Sequence, residues 1–178
     1  CKYVGLKEDQ IHFMNLPFYE TGTIEKNPMG EEDVRLTVEL IRKLKPHQIY
    51  CAGDLADPHG TNKVCLDVVL TALDEIKNSG EDNEWLKDCY IWLYKGAWEE
   101  WAIDEIEMAI PMSPEQVKKK RYGIFIHQSQ KDSVPFQGTD EREFWQRAEE
   151  RNGHTADLYA RLGLTRYAAM EAFVRLKI

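Results

Sequence analysis

No stretch of this chain approaches the roughly 18–20 consecutive apolar residues that a membrane-spanning helix needs. No signal-peptide pattern opens it either. Cys1, Cys51, Cys65 and Cys89 form no CxxC and no other short metal-ligand spacing. Three of them sit among apolar neighbours, in Tyr50-Cys51-Ala52, Val64-Cys65-Leu66 and Cys89-Tyr90-Ile91. That is the setting of buried free thiols in a cytosolic protein, so the expected location is cytoplasmic. Positive charge is short as well. Lysine and arginine number 23 against 31 aspartates and glutamates, the formal charge is −8, and no face is persistently basic, which argues against a nucleic-acid partner. The one basic run, Lys118-Lys119-Lys120-Arg121, falls on an expected helix and reads as a solvated face. Internal repeats and low-complexity segments are absent.

What is present fits an ordinary globular protein. The 178 residues suffice for one domain or most of one, with 43% hydrophobic and 30% charged residues. The chain opens on Cys1 rather than methionine. A mature bacterial lipoprotein also starts on cysteine, but a polar tether would normally follow, whereas this sequence runs almost directly into an expected strand. The start therefore reads as the edge of a fragment of a longer protein.

Residues 11–16 alternate loosely up to Pro17 and predict a strand. A loop with Gly22, Asn27, Pro28 and Gly30 leads to Glu31-Glu32-Asp33, an acidic start suited to the positive end of a helix. Val34, Val38, Ile41 and Leu44 repeat at helical spacing until Lys45-Pro46. Residues 48–52 predict a strand, residues 63–77 a helix with Val64, Cys65, Val68, Val69, Ala72, Leu73 and Ile76 on one side, and residues 88–93 a buried strand. Strand, helix, strand in this rhythm implies an α/β, Rossmann-like layered fold with a largely parallel sheet flanked by helices. A further strand is expected over 106–110, ending at Pro111. Ser113-Pro114-Glu115-Gln116 carries a hydroxyl cap, a first-position proline and an early Glu/Gln, so a helix should run from there to about 130. Two more helices, over about 140–151 and 155–174 with a break near Gly163, would make the C-terminal segment helical.

Open α/β sheets gather ligands beyond the C-terminal ends of their strands. The loop after Ala52 lies there and brings Asp54, Asp57, His59 and Asn62 near any site. An imidazole beside carboxylates can ligate a metal or act as a base whose protonated form the acid stabilises. A purely structural histidine fits the short Asp-Pro-His-Gly pattern equally well. His127, after Ile124-Phe125-Ile126, gains from the negative end of a helix even without a reaction role. Trp92, Trp98 and Trp101 could stack on a sugar face, though aromatics so near a core strand more often pack.

The ordered set PFYETG, IRKLKPHQIYCAGD, DPHGTNKVCLD, KKKRYGIFIHQSQ and LGLTRYAAMEAFV resembles the LmbE/PIG-L family of zinc-dependent sugar N-deacetylases. The likeness is to the version fused to glucosamine-6-phosphate deaminase (isomerase)-like domains, and it covers nearly the whole chain as one partial domain, 1–178. It implies a zinc held by an early His-Pro-Asp-Asp loop and by one histidine of a later His-x-x-His pair, whose first histidine stabilises charge in the reaction. By position His59 matches that catalytic histidine, Asp57 accompanies it, and Asn62 occupies the metal-ligand place. His127 matches an element near the substrate.

Two departures follow. The chain holds no His-Pro-Asp-Asp, and an amide at Asn62 is a poor zinc donor beside imidazole or carboxylate. His12, His47 and His154 fall in unrelated contexts. Asn62 reads better as a cap for the helix that follows, with Thr61 as a substitute.

The chain is thus expected to bind no zinc and to be inactive alone, as part of an amino-sugar protein resembling an N-acetylglucosamine (or phosphate derivative) deacetylase. A metal-free module that binds sugar phosphate or packs against a fused deaminase-like domain is the alternative. A third possibility leaves deamination to the other domain of the parent protein.

Overall fold

In the computed structural model the described residues are 1–21, 26–53, 60–80, 83–128 and 140–177. The chain divides into two compact units, one of His12–Tyr94 with Arg175–Ile178, the other of Cys1–Ile11 with Lys95–Val174. Both mix helix and strand, so the α/β class expected from the sequence is the one observed.

In the first unit, α1 (Glu31–Leu44) begins at Gly30 with the acidic turn Glu31-Glu32-Asp33. Asp33 does more than favour the positive helix end. It is 1% exposed, and its carboxylate accepts from the backbone N–H of Gly30 at 2.8 Å and of Phe18 at 3.0 Å. One side chain thus caps the helix and pins the incoming loop, whose Phe18 enters the core. Lys45 closes α1 in a left-handed conformation, donating its N–H to Ile41 O at 2.8 Å.

Strands β1 (Gln48–Ala52) and β2 (Tyr90–Tyr94) pair in parallel from Gln48 opposite Tyr90 to Ala52 opposite Tyr94. Between them runs α2 (Thr61–Asn78), burying Leu66, Val68, Ala72, Leu73 and Ile76. Cys65 is exposed, not on the buried face as expected, and Cys51 is only half-buried; Cys89 alone is fully buried.

The expected strand over 11–16 does not form. Asn15 takes a left-handed conformation (φ 47°), and the N–H groups of Tyr19 and Glu20 fold back onto Leu16 O. Phe13 is 86% exposed, so the alternation that suggested a strand points into no core.

The second unit holds β3 (Met108–Met112) and β4 (Ala169–Leu176) up to Val174, antiparallel, with Met108 opposite Phe173 and Met112 opposite Ala169. Within the units, one strand pairing is thus parallel and one antiparallel. Pro111 lies inside β3 instead of ending it. α3 (Pro114–Phe125) starts as the sequence foretells: Ser113 Oγ accepts from Gln116 N at 3.3 Å, and Gln116 Oε1 accepts from Ser113 N at 2.8 Å. It stops at Phe125, short of the expected end.

The largest correction is C-terminal. A single helix, α4 (Phe144–Arg161), runs through Asn152-Gly153, and the later part of the second expected helix, from Ala169, is the strand β4. Asn152 is an interior residue of this helix, 1% exposed, donating from Nδ2 to Met170 O at 3.0 Å. Ala169, Met170, Ala172 and Phe173 are good or tolerable helix formers, yet all are buried in β4. Pairing with β3 and burial override their local preference.

Candidate functional site

At the C-terminal edge of the parallel pair, the N–H of Gly53 donates to Tyr94 O at 2.7 Å and extends the pairing one residue past β1. The chain is next described at Gly60, whose φ of 67° is a left-handed conformation suited to glycine. Asp57 and His59, the two residues the sequence nominates for catalysis, lie outside the described residues, as does Asp54. What is fixed is the frame on either side of them: a strand end at Gly53 and a helix start at Gly60.

That helix start differs from expectation. Gly60 is the residue before the first helical position of α2, and no side-chain cap closes it. Thr61 and Asn62 are the first and second helical residues, so Asn62 is not the cap. A glycine that reaches the left-handed region turns the chain into the helix where an extended Asn62 was anticipated. The first turn of α2 carries no acidic side chain. This is the positive end of an 18-residue helix.

Zinc does not fit the residues described here. Asn62 offers a neutral amide, and among the described residues no three His, Cys, Asp or Glu side chains group to hold a metal ion. His127 belongs to the other unit, exposed just past α3, with its backbone N–H on Ile124 O at 3.0 Å. That position matches the helix-end role read from the sequence.

The chain is 58% identical over 172 residues to a glucosamine-6-phosphate deaminase-like protein of Bacteroides thetaiotaomicron. The alignment takes in 97% of this chain and 26% of that protein, so the chain spans about a quarter of the relative's length. No protein-family model matches the chain.

The tryptophans divide. In the Lys95–Val174 unit, the ammonium of Lys95 lies 4.5 Å from the Trp101 ring centre, and the Arg147 guanidinium lies 5.8 Å from that of Trp98. These rings already meet cations of their own chain, which favours packing over sugar stacking. Trp92 lies half-buried on β2, opposite Tyr50.

Sequence reasoning missed a polar cluster in the same unit. Arg151, its side chain 7% exposed, donates to Glu100 at 2.8 Å and to Glu171 at 2.7 Å. Lys120 binds Glu171 too, and Asn152 Oδ1 at 2.7 Å; Thr155 Oγ1 donates to Glu100 at 2.9 Å. Arg121 pairs with Glu149. The run 118–121 is thus not a solvated face throughout, since its last two members reach inward from α3 to α4 and β4. Burial alone would raise the Glu171 carboxyl, but Lys120 and Arg151 outweigh it and hold the group below its ordinary value. The charges are matched within the cluster, which makes it a cross-brace between α3, α4, β4 and the 99–101 segment. The one available signal was a pair of adjacent cations, Lys120 and Arg121, on an expected helix, with acids in the later segments.

Proposed function

We propose that this chain is the part of an amino-sugar-processing protein that holds an amino-sugar phosphate at the mouth of β1 and β2, without hydrolytic activity of its own. The observation that carries the reading is the frame between Gly53 and Gly60. A parallel strand ends, and a long helix with no acid in its first turn begins, around the Asp57–His59 sequence. Backbone N–H groups at such a helix start suit a phosphate or another anionic oxygen. In this reading Asp57 and His59 contact the sugar, His59 by hydrogen bonding or by charge when protonated.

Amino-sugar phosphate is the ligand class because the relative's name is that of a glucosamine-6-phosphate deaminase-like protein. The likeness to LmbE/PIG-L N-deacetylases makes the N-acetylated sugar the form to test. A metal-free role follows from the donor at position 62. The experiment is to titrate the 178-residue chain with N-acetylglucosamine 6-phosphate by calorimetry and to assay acetate release with and without added zinc. Binding that His59→Ala weakens, with no acetate above background, is the expected result. Zinc-dependent acetate release by this chain would overturn the metal-free reading, and loss of all sugar-phosphate binding would overturn the site.

A further inference from the structure

A cleft of about 520 Å³ opens at the other end of the parallel pair, where Tyr90 starts β2. Four cationic side chains line it: Lys77 from the last turn of α2, Lys87 from the 3-10 turn Glu84–Asp88, and Arg175 and Lys177 from the end of β4 and just beyond. Leu73 and Tyr90 are among its apolar walls, and among the described residues no aspartate or glutamate lines it. In a chain of net charge −8, such a convergence from three separate elements goes against the overall balance.

The state of each cation matters. Lys87 is shared with Glu84, and the Arg175 guanidinium stands 5.4 Å from the Tyr90 ring centre. Lys77 and Lys177, by contrast, have side chains with no carboxylate partner among the described residues. α2 also ends here, so its negative pole opposes an anion and the lysines must supply the attraction. The volume is that of a small-molecule site.

We propose that this cleft binds a phosphate group, as a free ion or as a phosphate monoester, with Lys77 and Lys177 as the principal contacts. It goes beyond the mouth site and does not depend on it. The two lie at opposite ends of β2, about 13 Å apart at ~3.3 Å per residue. A phosphate there exchanges solvent for two charge-assisted contacts, while any sugar carbons would rest on Leu73 and Tyr90.

The test is calorimetric titration of the 178-residue chain with inorganic phosphate, N-acetylglucosamine 6-phosphate and N-acetylglucosamine. It is run on the parent, on K77A/K177A, on His59→Ala, and on K118A/K119A as a charge-matched control at two exposed positions of α3. Phosphate affinity should fall about tenfold or more in K77A/K177A and be kept in the other two variants. In the His59→Ala background, tighter binding of the sugar ester than of inorganic phosphate supports the ester as ligand, and equal affinity supports the free ion. Absence of phosphate binding, an equal loss in the control, or an affinity that K77A/K177A leaves unchanged would overturn the proposal. So would equal binding of N-acetylglucosamine and its phosphate.

Discussion

Replacing Arg151 with methionine keeps most of the side chain's volume and removes a guanidinium that holds two carboxylates. Glu100, 15% exposed at its side chain, would be left with the Thr155 hydroxyl and the Trp101 N–H, and Glu171, 18% exposed, with Lys120. Breaking a buried pair by removing one partner costs roughly 3–5 kcal/mol, because the remaining charge stays desolvated. With a urea dependence of about 2 kcal/mol per molar, the unfolding midpoint should drop by about 1.5–2.5 M.

The same cluster sets a pH dependence. The Glu171 carboxyl is held below its ordinary value of 4.5, so the folded state binds its proton less readily than the unfolded one. Its contribution is complete above about pH 4.5 and is lost as pH falls through the lower folded value. Glu171→Gln should remove that acid-side loss. In a double-mutant cycle with Arg151→Met it should show a coupling of about 1–3 kcal/mol. A loss below about 1 kcal/mol for Arg151→Met, the cost of an exposed pair, would refute the view that this cluster is a desolvated brace.

Asp33→Ala strands the buried N–H of Phe18 and the N–H of Gly30, and should lower stability by about 2–4 kcal/mol in chemical denaturation; a change within about 0.5 kcal/mol would contradict the double capping role. Burial, followed by the nearby Cys65, pushes the Cys51 thiol up to about 11, and burial also raises Cys89. At pH 8 only about one Cys51 in a thousand is thiolate. Ellman's reagent should therefore titrate the exposed Cys1 and Cys65 in a fast phase and the other two much more slowly, and four equally fast thiols would show that the core near β1 is open.

Legibility tracked how local the determining interaction is. The α3 start was readable because Ser113, Pro114 and Gln116 satisfy one another within four residues. β1 was readable because Gln48-Ile49-Tyr50-Cys51-Ala52 is short, β-rich and bounded by Pro46 and Gly53. The strand that ends before the nominated residues and the long helix that begins after them were both legible. Asn62, however, was assigned to the cap when Gly60 holds that position. Capping residues compete within a few positions, and backbone conformation decides among them. Lys120 and Arg121 were misread because a lysine's sign says nothing of which face of the helix finds a carboxylate 28 or 51 residues away.

The sequence by itself determined what depends on neighbours along the chain: the α/β class, the amphipathic α1 and α2, the capped start of α3, and the helix-end setting of His127. Only the tertiary structure decided that residues 169–176 extend as a strand against β3, that Asn152 and Thr155 turn inward from a continuous α4, and that Asp33 fastens a loop fifteen residues before it. Helix propensity is worth tenths of a kcal/mol per residue, whereas burying apolar side chains and satisfying interior polar groups is worth one or more each. Where the two disagreed, contacts distant in sequence prevailed.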